Sequence, residues 1–498
     1  MDAGAPLRLH RFHGGSALAG HKAESVPASI RACPSPPVLS LRLRAPYGGS
    51  LTACVLVGQR VRAGERIADA TGRAAALHAP ASGEVIAVTD DLIRIRVVAD
   101  GENDAALRLP SMDVATADAE SLRARIAEAG IVGLGGAGFP AAEKLASAAS
   151  APLLIVNGAE CEPWIACDDA LLREQAADVV RGTALLAQAL GAGRALIAVE
   201  DQMVEAWTAV RDALATGAFP SIAMVPVPTV YPTGGERQLI EVLTGRQVPS
   251  GGWPSDIGVT VHNVGTAFAA WRAVAHGEVL THRIVTVTGP GVAKPGNYRV
   301  PVGTPVEHLI AQAGGYTPAA ARLLLGGPLM GEAQADDSVP IEKQHGCVLV
   351  LGAADLRDET QQLPCIRCGD CARDCPAQLQ PQELFRHWRA NNLDRAGNDG
   401  LFDCIECGCC DLVCPSHIPL TQRFREAKQE ISAQRARTQR ADDSRRRFEA
   451  RNARLARDAA ERAQRDADRS KRGASADAVA AAIERAKAKR QAPKDDRP

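Results

Sequence analysis

Two short cysteine runs constrain this chain more than anything else in it. The first reads Cys365-x2-Cys368-x2-Cys371-x3-Cys375-Pro376, and the second repeats it as Cys404-x2-Cys407-x2-Cys410-x3-Cys414-Pro415. Three thiolates at this spacing can each reach one iron of a cubane cluster while the backbone folds over the sulfides, and the fourth iron takes a cysteine from the other run. The spacing therefore predicts two [4Fe–4S] clusters with crossed ligands. Cys365, Cys368, Cys371 and Cys414 belong to one, and Cys404, Cys407, Cys410 and Cys375 to the other. The proline after each fourth cysteine turns the chain away from the cluster. Zinc sites use paired C-x2-C arms around one metal, which leaves the third and fourth cysteines of each run unexplained. Disulfides need an oxidising compartment, and the N-terminus shows no export signal. Cys409, next to Cys410, is expected to be a packing residue.

The chain has 498 residues, which suggests three or four domains. Aromatic residues are only 3%, so its cores must rest on Ala, Val, Leu and Ile. No apolar run reaches the 18 or so residues of a membrane span, so the expectation is a chain with no transmembrane span of its own. A net charge of −1 hides an asymmetry: from residue 421 onward there are 23 Lys and Arg against 13 Asp and Glu, +10, which leaves −11 for the rest. An acidic body with a basic tail points to contact with an acidic surface, either a partner protein or anionic lipid. The tail has few apolar residues and no heptad seam, which predicts an exposed helix or disorder. Without interleaved aromatics or a reading motif, no nucleic-acid binding is expected.

Residues 1–37 read as a surface-wrapping arm carrying His10, His13, His21 and Lys22. Residues 38–110 hold short β-branched runs between Gly and Pro turns. This pattern resembles the lipoyl-type barrel-sandwich fold, but the segment 67–78 lacks the lysine that a lipoyl carrier needs, so the unit is read as structural. Over residues 117–280 strands and helices alternate, which argues for an α/β sheet. A helix over 117–129 leads to Gly133-Leu-Gly135-Gly136-Ala-Gly138-Phe139-Pro140 and a second helix. Pro140 suits the first turn of a helix, and the glycines let amides approach an anion there. The letters fit G-x-G-x-x-G, but the loop follows a helix and not a strand, so it is not the dinucleotide fingerprint. Asn157, Glu160 and Glu162 fall just beyond a strand predicted over 152–157, where α/β sheets bind ligands. Gly234-Gly235-Glu236 is a second loop at a helix start. Residues 281–352 predict a four-stranded sheet packed on one helix, resembling the soluble-ligand-binding β-grasp module. Between the cysteine runs, a helix is expected over 381–396, with Leu384, Phe385, Trp388 and Leu393 on one face, making residues 358–424 an α-helical two-cluster ferredoxin domain. Residues 425–498 are the charged tail.

This order of units resembles the RnfC family, the C-type subunits of the Rnf ion-translocating electron-transport complexes, and the middle of the chain also resembles the flavin subunit of respiratory complex I. The resemblance rests on residues 133–140, 157–163, 234–236 and 262–266. It implies a multidomain α/β plus β chain: barrel-sandwich, Rossmann-like flavin domain, β-grasp and two-cluster ferredoxin. It further implies that Gly135, Gly136, Gly138, Lys144, Asn157, Glu236, Asn263 and Thr266 surround FMN. Phe139 and Glu162 would lie on the side of the substrate NADH, with Glu160 in the same cofactor-binding set. Where the complex I subunit has an Asp two residues after the Asn, this chain has Ala159, and where it has a second Glu after the Gly-Glu pair, this chain has Arg237. The implied role is electron transfer between NADH and the other subunits of such a complex (types A, B, D, E and G), with the chain peripheral on the cytoplasmic face of the inner membrane. Two other readings stay open: a soluble cobalamin-reductase-like flavin and iron–sulfur protein, and an electron-relay or docking subunit with an inactive flavin site.

Overall fold

The computed structural model describes residues 8–26, 29–98, 106–149, 151–356 and 362–491. The chain divides into two units, residues 1–425 and 426–498.

The first unit begins with the arm, which contributes a two-residue strand, β1 (Arg31–Ala32). Two small sheets follow. One has the order β2 (Val38–Arg42), β8 (Leu92–Val97), β7 (Gly83–Val88), β4 (Arg60–Val61), and the other β3 (Ser50–Ala53), β5 (Arg66–Thr71), β6 (Leu77–His78). In β8 the sequence alternates, burying Ile93 and Ile95 and exposing Arg94 and Arg96. That period of two places Leu39, Leu41, Ile67, Val85, Ile93 and Ile95 in one core between the sheets.

The α/β unit is built on four parallel strands in the order β11 (Ile222–Val227), β10 (Arg194–Glu200), β9 (Leu153–Gly158), β12 (Val259–Asn263). Its central strands are apolar on both faces, as a covered parallel sheet requires. Leu154 and Val156 face one core, made with α1 (Ala119–Glu128), α2 (Ala141–Ser147), α3 (Cys167–Leu190), α4 (Val204–Leu214) and α6 (Val264–His276). Ile155 faces the other, against α5 (Glu236–Thr244). Helices α3 and α6 approach closely at Gly182, where a β-carbon would lie 1.9 Å from the Ala267 oxygen.

The next sheet corrects an expectation. It has six strands and not four, in the order β1, β14 (Gly296–Pro301), β13 (His282–Thr288), β17 (Cys347–Gly352), β15 (Ala320–Leu325), β16 (Glu332–Gln334). The arm supplies the extra edge, since Arg31 and Ala32 pair in parallel with Tyr298 and Arg299. A short outer strand caps the other side. Helix α7 (Val306–Gln312) packs on this sheet through Val306, Leu309 and Ile310.

The cysteine-rich part is helical: α8 (Asp370–Arg373), α9 (Pro381–Arg389), α10 (Leu393–Asn398) and α11 (Cys409–Leu412). The single helix expected over 381–396 is two. Asn391 adopts a left-handed φ of 51°, and the Asn392 side chain caps α10 by accepting from the Arg395 amide. Both are habits of asparagine that interrupt a helix. The last helix, α12, spans Leu420–Arg490. In the second unit its side chains are exposed almost throughout beyond residue 431, with i,i+3 and i,i+4 pairs such as Arg446–Asp443 and Arg465–Glu461. No helix among the described residues is long and apolar enough to cross a membrane.

Candidate functional site

The two cysteine runs fold alike, residue by residue. In each, the residue before the second cysteine is left-handed: Arg367 (φ 58°) and Glu406 (φ 57°). A left-handed glycine follows that cysteine, Gly369 (φ 82°) and Gly408 (φ 76°), and then a single helical turn, α8 and α11. Three residues after the fourth cysteine the backbone is left-handed again, at Gln378 (φ 56°) and His417 (φ 51°). Such a conformation costs a non-glycine residue about 1–2 kcal/mol. The same strain in the same places twice means that the two loops share one backbone shape.

Cysteines of the two runs lie beside one another. Cys365, Cys368, Cys371 and Cys414 line one concavity with Gln382, Phe385, Ile418 and Leu420. Burial pushes the Cys371 thiol up to about 11, and neighbouring Cys368, Cys414 and Cys365 add to the shift. The other four cysteines also adjoin across the runs. Burial raises the Cys375 thiol and nearby Cys407 adds to it, while burial, Asp411, Cys404 and Cys407 raise that of Cys410. Cys409 is fully buried and packs with Tyr231 and Cys407.

This second quartet is seated against the α/β unit. The Tyr231 hydroxyl donates to the Cys407 oxygen at 2.7 Å, and Gln238 Nε2 donates to the Pro376 oxygen. From the arm, the Gly15 amide donates to the Asp374 oxygen, Ser16 to the Asp374 carboxylate, and His13 Nδ1 to the Cys375 oxygen.

The loop at residues 133–139 lies at the start of α2. Its fixed parts are held from three directions. The Leu134 amide donates to Thr266 Oγ1 at 2.9 Å, buried Arg283 of β13 donates to the Leu134 oxygen, and Tyr47 donates to the Ala137 oxygen and packs edge-on against Phe139. Gly136 has φ 103° and open space where a β-carbon would go. The amides of Gly135, Gly136 and Ala137 donate to no partner among the described residues. Lys144, one turn into α2, pairs with Glu236 at the start of α5. Free amides, an open glycine and a lysine at one helix start make a donor set that fits a phosphate. Nearby, His262 Nε2 is buried with no partner among the described residues, and burial, then Lys144, lowers its pKa to about 3.

The remaining predicted residues tie the loops together. Asn157 Nδ2 donates to the Gly234 oxygen and its Oδ1 accepts from the Ala159 amide. Asn263 caps α6 and donates to Asp168 at 2.6 Å. Gly138 lies against Gln344. The Glu160 carboxylate accepts from the amides of Asp168 and Asp169, closing the start of α3. Glu162 accepts from the amides of Leu329 and Met330 and so grips the next domain. Burial raises the pKa of both glutamates. Arg237 donates to the oxygens of Val248, Pro249 and Gly252 and pairs with Asp403, stitching a loop to the cluster region. Sequence reading did not single out Tyr47, Tyr231, Asp168 or Arg283. Each comes from a separate element, and no local spacing marks it.

Family models match along the chain: the RnfC barrel-sandwich hybrid domain over residues 10–98, the Nuo51 FMN-binding domain over 126–272, the SLBB domain over 284–333 and the 4Fe-4S dicluster domain over 361–418. A solved NAD+-reducing [NiFe]-hydrogenase in the H2-reduced state covers 67% of this chain and 72% of its own, at a TM-score of 0.46 and 20% identity. The C subunit of the ion-translocating oxidoreductase complex of Citrobacter koseri is 41% identical over 97% of this chain, which covers 70% of that protein. The protein of the same name from Erwinia tasmaniensis is also 41% identical over 97% of the chain, which spans 61% of its length. The chain therefore belongs to the RnfC family, the C subunits of ion-translocating oxidoreductase complexes.

Proposed function

We propose that this chain is the peripheral electron-input subunit of a membrane-bound, ion-translocating oxidoreductase complex, seated on the cytoplasmic face of a bacterial inner membrane. It takes electrons from NADH at an FMN site and hands them through two [4Fe–4S] clusters to partner subunits of the A, B, D, E and G types. When bound, FMN supplies the step from a hydride to single electrons, and the clusters carry those electrons one at a time.

The chain's own residues prepare the sites for this. The free amides of Gly135, Gly136 and Ala137, with Lys144, supply positive ends for the FMN phosphate. Gly138, Asn157, Glu236, Asn263 and Thr266 fix the loops around it, and Phe139, Glu160 and Glu162 border the nucleotide side. Each thiolate quartet supplies the four ligands of one cluster. The single observation that carries the reading is that one quartet packs on Tyr231 and Gln238, residues flanking Gly234-Gly235-Glu236. The flavin loops and a cluster seat are thus parts of one packed structure.

Family membership does not favour the soluble cobalamin-reductase reading. Nor does Arg237 supply a reason for an inactive flavin site, because its guanidinium is spent on three carbonyls and Asp403. The test is an anaerobic NADH titration of the reconstituted chain, followed by flavin absorbance and cluster spin resonance. Stepwise bleaching of both is expected, and a chain holding FMN and clusters that NADH leaves unchanged rejects the proposal.

A further inference from the structure

The two thiolate quartets differ in exposure, although each holds one half-buried cysteine, Cys404 and Cys414, and Cys371 is buried. Cys375, Cys407 and Cys410 are buried, and their loops are bonded to the α/β unit and the arm. Cys365 and Cys368 are exposed. The concavity they line is made entirely of residues between 365 and 420, all within the cluster region itself. Two large apolar side chains stand open beside it, Leu363 (58% exposed) and Ile366 (68%). Leu363 is held there by its amide, which donates to the Ser416 oxygen.

Charge separates the two sites as well. Arg367 is the one charged residue lining the outer concavity. It is exposed and makes no ion pair among the described residues. Its counterpart in the other run, Glu406, is instead paired with Arg425 at 2.9 Å. An arginine with no ion pair among the described residues, beside exposed apolar side chains, has the composition found at the centre of protein interfaces. Its sign calls for a partner whose contact rim is acidic.

Resting on the function proposed above, we infer that Leu363, Ile366 and Arg367, around the exposed Cys365 and Cys368, form the docking surface for a one-electron carrier protein with a carboxylate-rimmed cofactor edge. Loaded with its cluster, the quartet containing Cys375 and Cys407, bonded to Tyr231 and Gln238, would receive electrons from the proposed flavin site, and the quartet containing Cys365 and Cys414 would hold the cluster that passes them on. In the exit step one electron crosses: the outer site is oxidised by one electron and the carrier reduced by one, with no bond made and no proton moved.

The test uses the full chain with both clusters loaded, and an acidic [2Fe–2S] ferredoxin as probe. Two variants are compared with the unaltered protein, Arg367→Glu and Ile366→Gln. Glutamate already occupies the equivalent left-handed position in the other run, so the backbone accepts Arg367→Glu, and cluster absorbance checks that both variants are loaded. Calorimetric titration at low salt should show about tenfold weaker binding for Arg367→Glu, a gap that closes as salt rises. Ile366→Gln should weaken binding several-fold at every salt concentration. Stopped-flow transfer from chain loaded by dithionite should slow in parallel. Variants that bind and transfer like the unaltered chain, or a probe that fails to bind the unaltered chain, overturn the inference. Because dithionite supplies the electrons, failure of NADH to reduce the protein sinks the proposed function and leaves the docking result standing.

Discussion

The hydroxyl of Tyr231 donates to the main-chain oxygen of Cys407 across 2.7 Å. Tyr231 is only 2% exposed. It stands three residues before Gly234, whose oxygen accepts from Asn157. One side chain therefore joins the loop of the proposed flavin site to the loop of a cluster seat. Tyr231→Phe keeps the ring and deletes the bond, leaving a buried carbonyl without its donor. That costs about 1–3 kcal/mol. Amide exchange across residues 404–410 should speed up roughly tenfold, with iron content retained. Unchanged protection in that segment would show that the bond is not what holds the two loops together.

The crossed quartets make a second prediction, about which substitutions resemble each other. Cys414→Ser and Cys365→Ser lie in different runs but at one concavity, so both should remove the same cluster, halve the iron and leave identical residual spin-resonance spectra. Cys375→Ser and Cys407→Ser should leave the other spectrum. If Cys414→Ser instead matched Cys407→Ser, each run would hold its own cluster and the crossed assignment would be wrong.

Some of this was legible in the sequence. Cysteine spacing points to the two quartets because their residues lie close along the chain, and the glycine loop at 133–138 stands out because its backbone needs are local. The six-stranded sheet was not legible, because Arg31 and Ala32 join Tyr298 and Arg299 across more than 260 residues, with only two residues of strand to announce it. Nor was the role of Glu160. Its carboxylate also closes the start of α3, in a bond pattern that depends on where Asp168 folds. The left-handed turns at Arg367, Glu406, Gln378 and His417 escaped for another reason: none is the glycine or asparagine that usually announces them.

Lys144 and Glu236 give a third prediction. They form an ion pair, and at the proposed FMN site an incoming phosphate would compete with Glu236 for one ammonium. Lys144→Ala removes the cation and leaves an acid facing the anion. A charge-assisted bond of about 1.5–3 kcal/mol is lost, so FMN should bind roughly 10- to 100-fold more weakly by flavin fluorescence titration of the cofactor-free chain. Adding Glu236→Gln should recover part of that loss by removing the repulsion. Undiminished affinity in Lys144→Ala places the phosphate elsewhere.

The buried acids behind that loop give a pH dependence whose sign is fixed. Asp168 is pushed up to about 7 by burial and by the Glu160 carboxylate, against the pull of Arg283, Asn263 and Lys22. Its folded pKa thus exceeds its unfolded one of about 3.9, and the native state holds more protons between those values. Such a group contributes stability that is complete below pH 4 and lost as pH rises through 7. Asp168→Asn stays neutral throughout and can still accept from Asn263 with its amide oxygen. The stability of Asp168→Asn relative to the unaltered chain should therefore climb between pH 4 and pH 8 in denaturant titrations of the cofactor-free protein, with a slope of at most about 1.4 kcal/mol for each step of one in pH. Parallel curves across that range would mean that Asp168 is ionised in the native state at no cost, and that Lys22 and Arg283 already neutralise it in full.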